Sequence, residues 1–139
     1  MTIAYPGQSY IRVRITAEWH IALARSTLLR FIDPLSVSDT WQASVETSLS
    51  ELAYNLFLHT ANGGLITIEM VNESQRIGIR LTSEDTGPGI ASIPWAMKDG
   101  HSTNGGLGGG LPGIQRLMDE FNIQSEFGRG TLITTTKWL

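Results

Sequence analysis

Ser83 to Gly113 reads SEDTGPGIASIPWAMKDGHSTNGGLGGGLPG. The stretch opens with a carboxylate, Asp85, and the turn Gly87-Pro88-Gly89. It closes with the cluster Gly105-Gly106-Leu107-Gly108-Gly109-Gly110, followed by Leu111 and Pro112. Glycine lets backbone N–H groups approach a ligand closely, and Pro112 suits the first helical position, where its missing N–H costs little. A glycine loop that opens a helix is an anion site, because free N–H groups and the helix dipole point the same way. The polar segment between the two borders, Ala91 to Asn104, has no sustained periodicity. The whole reads as two halves of a nucleotide pocket with a lid between them.

Outward from this stretch the chain alternates between two periodicities. Tyr10 to Ile15 puts Ile11, Val13 and Ile15 on one face and Arg12 and Arg14 on the other, the pattern of a half-buried strand. Ala17 to Ile32 carries Trp19, Ala22, Leu23 and Leu29 at helical spacing and ends at Asp33-Pro34. A second helix is expected from about Ser38 to Ala61, stopped by Asn62-Gly63-Gly64. Its apolar stripe is Trp41, Val45, Leu49, Leu52 and Leu56. Leu65 to Val71 and Arg76 to Glu84 alternate as two strands of a hairpin joined by Asn72 to Gln75. Ile66, Ile68 and Met70 mark the buried face of the first, and Ile77, Ile79 and Leu81 that of the second. A third helix is expected from Pro112 to about Phe121, and a last hairpin from Ile123 to Phe127 and Thr131 to Trp138, turning at Gly128-Arg129-Gly130. The order β-α-α-β-β-lid-α-β-β predicts an α/β chain of the α+β two-layer kind. One mixed sheet would carry helices on one face and leave its arginine-bearing face wet.

The 139 residues suit a single domain spanning 1–139 with a sizeable core. A net charge of −3 argues against a nucleic-acid partner, which favours a basic face. The absence of cysteine excludes disulfides and thiolate metal sites. No apolar run approaches the roughly 18 residues of a membrane span, and the start MTIAYPGQSY lacks the regions of a signal peptide. The expectation is a cytoplasmic protein that binds no membrane.

Asp85 shares strand parity with Ile79, Leu81 and Ser83, so it points toward the helix layer if the strand persists that far. A carboxylate there needs a donor. It either caps the Gly-Pro-Gly amides or accepts from a ligand amino group such as the exocyclic amine of adenine. Glu51 and Asn55 stand at i and i+4 on one helix face, about a quarter turn from the apolar stripe. Asn offers a hard oxygen to Mg²⁺, and Glu one turn earlier could orient or deprotonate a hydroxyl. Both also fit an ordinary exposed helix face. Lys98, in the lid, could reach a phosphate or stay solvated. His20, His59 and His101 show no metal-ligand spacing. No glycine is followed by the Lys-Ser/Thr of a Walker A loop. Gly108, Gly110 and Gly113 fit G-x-G-x-x-G but do not directly follow a strand, as a dinucleotide fingerprint must.

Taken together, these pieces resemble the GHKL (Bergerat) ATP-binding fold of histidine kinases, type II topoisomerases, mismatch-repair proteins and a heat-shock chaperone. Glu51-Leu52-Ala53-Tyr54-Asn55 matches its N box and Asp85 to Ile90 its G1 box. Gly105 to Leu111 matches its G2 box, and Gly130-Thr131 the late-strand Gly-Thr of the adenine pocket. Over nearly its whole length the chain is similar to small anti-sigma-factor serine/threonine kinases, above all the stressosome switch kinases; SELAYN, DTGPGI, AMKDGHSTNGGLGGGLPGIQRLMDEF and TLITTTKWL carry the likeness. The resemblance implies phosphoryl transfer from Mg·ATP to a serine or threonine of a STAS-domain partner, and activation of a PP2C-type phosphatase once the kinase is released. It makes Glu51 the general base, Asn55 the Mg²⁺ ligand and Asp85 the adenine-reading carboxylate. Gly87, Gly89, Ile90 and Lys98 would be further ATP-binding residues. Gly105, Gly106, Leu107, Gly108, Gly109, Gly110 and Leu111 would surround the phosphates, and Thr131 would complete the adenine pocket. The alternatives are an anti-sigma factor that sequesters a sigma factor and a nucleotide-gated module that clamps a partner without chemistry.

Overall fold

A computed structural model describes residues 10–87, 89, 97 and 110–139. The elements are β1 (Tyr10–Ile15), α1 (Trp19–Ile32), a 3-10 turn (Asp33–Leu35), α2 (Asp39–His59), β2 (Gly64–Glu73), β3 (Arg76–Asp85), α3 (Gly110–Leu117), β4 (Glu120–Glu126) and β5 (Gly130–Trp138). The five strands form one sheet in the order β1-β2-β3-β5-β4. Every pairing in it is antiparallel, which corrects the expectation of a mixed sheet. The connections explain this. Between β1 and β2 the chain makes two helical passes, not one, so β2 returns antiparallel beside β1. β3 and β4 are joined through a single helix and run the same way, but β5 lies between them.

The helices pack on one face. Val13, Ile15, Ile66, Ile68, Ile79, Leu81 and Ile133 from the sheet meet Leu28, Val45, Leu49, Leu52, Leu56 and Ile114 from the helices. The stripe expected on α2 is the one buried, with Trp41 half-buried at its start. On α1 the buried face is Ile21, Ala24, Thr27, Leu28 and Ile32. Trp19 and Ala22 lie outside it, and Trp19 is 66% exposed, its ring against that of His20. Trp19 sits at the helix start, where His20 turns back: its Nδ1 accepts from the backbone N–H groups of Thr16 and Ala17, both at 3.0 Å. Ser38 caps α2, accepting from the Trp41 N–H at 3.1 Å. Ile77, expected in the core, is 41% exposed, because it lies at the hairpin end of β3. That hairpin turns on two residues only, Ser74 and Gln75, both with positive φ, so the strands extend further than the alternation suggested.

The third helix also differs. It begins at Gly110, ahead of Pro112, and stops at Leu117, so Phe121 belongs to β4. Cross-strand bonds end it. The Asp119 N–H donates to the Thr136 carbonyl at 2.9 Å. The Thr135 hydroxyl donates to the Glu120 carbonyl at 2.7 Å, and Lys137 Nζ reaches the Leu117 carbonyl at 2.8 Å. The second face of the sheet is only partly wet. Arg12 and Arg14 are exposed, but Val71, Thr136 and Trp138 are buried there, with the Arg76 guanidinium 4.1 Å above the Trp138 ring.

Candidate nucleotide site

β3 continues through Asp85, and its alternation carries Asp85 to the helix side. Gly64 makes that orientation visible: a Cβ added there would lie 2.6 Å from Leu56 Cδ2 on α2 and 3.3 Å from Asp85 Cβ. Asp85 performs the capping role considered from its sequence, since its Oδ1 accepts from the Gly87 N–H at 2.8 Å. That bond fixes the carboxylate and occupies one oxygen, leaving the other for a second donor.

The turn after Asp85 is wedged between two elements. A Cβ at Gly87 would lie 3.1 Å from Thr60 Cγ2, at the end of α2, and 3.0 Å from Asp85 Oδ1. Gly89 has φ 76°, and a Cβ there would meet the Glu126 carbonyl oxygen at 2.4 Å. Gly89 therefore requires glycine for space and for its backbone conformation, while a side chain at Gly87 would press on Thr60 and Asp85. Gly130 repeats the theme with φ 126° and a would-be Cβ 2.1 Å from the Asp85 carbonyl oxygen. The Gly-Thr pair is thereby pressed against the end of β3.

Thr131 is the cross-strand partner of Asp85, and Ser125 that of Thr131. The Ser125 and Thr131 hydroxyl oxygens are 2.9 Å apart. Glu51 and Asn55 come from α2, whose C-terminal end lies above this end of the sheet. Glu51 is buried, with 3% of its surface exposed, and is engaged in a polar interaction. Asn55 is half-buried. Ser44 and Ser48, both buried, continue their stripe toward the other end of the helix. Gly110, with φ 69°, and Leu111 open α3, both buried. Ile90, Lys98, Gly105, Gly106, Leu107, Gly108 and Gly109 lie outside the described residues, as does the lid apart from Met97, which packs against the core.

Thr60, Gly64 and Ser125 were missed in the sequence. Ser125 alternates with Phe121 and Ile123, but only its pairing with Thr131, and that of Thr131 with Asp85, brings it to the site. Among the described residues no three acidic or histidine side chains are grouped to hold a metal. One half-buried amide, Asn55, with Glu51 one turn away is a donor set suited to Mg²⁺ that arrives on a phosphate chain and keeps most of its waters.

Over residues 42–139, a span holding every candidate residue, the sequence matches the family described as Histidine kinase-, DNA gyrase B-, and HSP90-like ATPase, and the chain belongs to that family. Within it, the chain is 46% identical over 127 residues to the serine/threonine-protein kinase RsbT of Bacillus subtilis (strain 168), covering 91% of this chain and 95% of the relative. The anti-sigma F factor of Thermoanaerobacter sp. (strain X514) is 30% identical over 123 residues, 85% of each chain. The fold also matches the crystal structure of the RsbU and RsbW domains of Rv1364c from Mycobacterium tuberculosis. There the TM-score is 0.64 at 17% identity, over 92% of this chain and 32% of that one. The catalytic domain of the histidine kinase ThkA matches with a TM-score of 0.52 at 12% identity, over 94% and 98% of the two chains. Kinship with RsbT along nearly the full length of both chains places this chain among the serine/threonine-protein kinases of the family. No helix among the described residues is long and apolar enough to cross a membrane.

Proposed function

We propose that this chain transfers the γ-phosphoryl group of ATP to a serine or threonine of a STAS-domain partner in a stressosome-like partner-switching pathway. Once released, it activates a PP2C-type phosphatase in the cytoplasm. The observation that carries the nucleotide half is the pairing of Asp85 with Thr131 on neighbouring strands, beside glycines that admit no side chain. The kinship with RsbT supports the protein-kinase half. It is stronger than the kinship with the anti-sigma F factor, which favours the switch kinase over sigma-factor sequestration.

In this reading the free Asp85 oxygen accepts from the adenine 6-amino group. Gly110 and Leu111 present N–H groups of the α3 start to the phosphates. Asn55 holds Mg²⁺, which when bound neutralises charge on the phosphate oxygens. The partner hydroxyl oxygen forms a bond to the γ-phosphorus as the bond to the β–γ bridging oxygen breaks. Glu51 takes the hydroxyl proton and ADP leaves. The place of Glu51 on the α2 face it shares with Asn55 supports this role. The test is transfer of label from γ-labelled ATP to a STAS-domain protein, with the target serine replaced by alanine as control. Transfer that disappears in the control is expected. ATP and partner binding without transfer would make the chain a nucleotide-gated clamp.

A further inference from the structure

We infer that Thr60 is a positioning residue: its methyl group seats Gly87, the Gly87 N–H aims the Asp85 carboxylate, and the pocket's preference for a 6-amino purine is sharpened in consequence. The inference rests on the adenine-reading role given to Asp85 above.

Thr60 closes α2 as its C-cap, in extended conformation with φ −128° and ψ 134°. Two polar groups anchor it there. Its hydroxyl donates to the Leu56 carbonyl at 2.6 Å, and its own carbonyl accepts from the Gly63 N–H at 3.4 Å. A β-branched side chain has few χ1 choices, and the hydroxyl bond selects one of them. The methyl group is then turned toward Gly87: a Cβ added at Gly87 would stand 3.1 Å from Thr60 Cγ2 and 3.4 Å from Thr60 Cβ. Such a Cβ would also lie 3.0 Å from Asp85 Oδ1, the oxygen that accepts from the Gly87 N–H at 2.8 Å. Gly87 is thus held between a methyl group at the end of α2 and the carboxylate at the end of β3.

The grip matters because a hydrogen bond aims a carboxylate only if its donor is fixed. A carboxylate is planar, so seating one oxygen against the Gly87 N–H sets the direction of the other, the one assigned to the adenine amine. Glycine has wide backbone freedom and no side chain with which to anchor itself. Thr60 supplies that anchor from outside. The same helix carries Glu51 and Asn55, so the threonine also ties the base-reading turn to the helix assigned to Mg²⁺ and the chemistry. Serine in its place would keep the hydroxyl and lose the methyl. Valine would keep the methyl and lose the hydroxyl that orients it, setting a carbon against the Leu56 carbonyl where 2.6 Å suits only a hydrogen bond.

The experiment is calorimetry of Mg·ATP and of the Mg complex of purine riboside triphosphate, which carries hydrogen in place of the 6-amino group. Wild type should prefer ATP by about tenfold or more, the scale on which an unpaired polar partner is penalised. Thr60→Ser should lower that ratio by about threefold, the scale of deleting one packed methyl group. The change should come through weaker ATP binding, since a nucleotide without the amine gains nothing from a well-aimed carboxylate. Thr60→Val should lower the ratio as well, and serves if the serine variant does not fold. Gly87→Ala should cost less ATP affinity in the Thr60→Ser background than in the wild type, because the added methyl group then meets one obstacle and not two. An unchanged ratio in Thr60→Ser and Thr60→Val, even with both affinities reduced, would overturn the role given to Thr60 and leave the adenine pocket standing. So would a Gly87→Ala cost equal in the two backgrounds. Equal affinity of the wild type for the two nucleotides, or binding of neither, would overturn the adenine-reading role of Asp85 and this inference with it.

Discussion

The two ends of the sheet are built from the same strands and by the same device, yet to opposite ends. At each, one strand carries a glycine whose missing side chain is replaced by a neighbour's. At the hairpin end Gly78 lies between Val71 and Trp138, and a Cβ there would come 2.8 Å from the Trp138 ring. Every polar group of that tryptophan then finds a partner within the chain. Its N–H donates to Asp119 Oδ2 at 2.7 Å, its indole N–H to Glu120 Oε2 at 2.7 Å, and its carbonyl accepts from the Trp41 indole at 2.8 Å. At the pocket end Gly64 lies beside Asp85, in a row continued by Thr131 and Ser125. There the Gly87 N–H takes one of the two Asp85 carboxylate oxygens. A saturated network lends rigidity, whereas a row with acceptors to spare can hold a ligand. The contrast predicts that substitutions at the two ends separate stability from nucleotide chemistry.

The largest separation is expected at Glu51. Glu51→Gln keeps the shape of a buried side chain and removes its ability to take a proton. General-base assistance is worth about 10²–10⁴-fold in rate, so phosphorylation of the partner should fall by at least about two orders of magnitude. ATP affinity and unfolding temperature should stay close to wild type. A Glu51→Gln chain that transfers at the wild-type rate would remove Glu51 from the chemistry and leave α2 a packing element at both ends.

A smaller effect is expected at Asp85. Asp85→Ala deprives the adenine amine of its acceptor and the Gly87 N–H of its cap. The unpaired donor corresponds to about 1–3 kcal/mol of ATP binding, a loss of roughly ten- to a hundredfold by calorimetry. If ATP binds the variant as tightly as wild type, Asp85 is a turn cap and nothing more, and the pocket end becomes as self-contained as the hairpin end.

What could be read in the sequence divides along the same line. The strand faces, the α2 stripe and the placement of Asp85 followed from short-range periodicity, which local residues determine. The buried face of α1 did not, because Trp19 and Ala22 mimic an apolar stripe on a helix whose packing side is set by α2. The end of α3 was misplaced for a related reason. Ile114, Leu117, Met118 and Phe121 keep helical spacing, but Asp119 and Glu120 are claimed by bonds to β5 that only the folded sheet provides. The all-antiparallel sheet was hidden by strand order, since β5 inserts between β3 and β4. At the site, motif residues were legible one at a time. Ser125 belongs to no motif and becomes visible only through the register of three strands.

The smallest effect tests the hairpin end directly. Trp41→Phe keeps an aromatic ring at the start of α2 and removes the indole N–H that meets the Trp138 carbonyl. That carbonyl is the last polar group of β5 to be paired from the helix layer, so its loss loosens the tie between α2 and the sheet. One hydrogen bond of this kind contributes about 0.5–1.5 kcal/mol net, and the unfolding midpoint should fall by a few degrees. The Asp85–Thr131–Ser125 row lies at the opposite end of β5, with the core between. ATP affinity should therefore remain within about twofold of wild type, since distant sites that share no partner add independently. Glu120→Gln, which keeps an acceptor oxygen for the Trp138 indole, should lower the midpoint less than Trp41→Phe. Should Trp41→Phe weaken ATP binding in proportion to its loss of stability, the two ends would be one cooperative unit, and tightness at the tryptophan end would have to be counted as part of the nucleotide site.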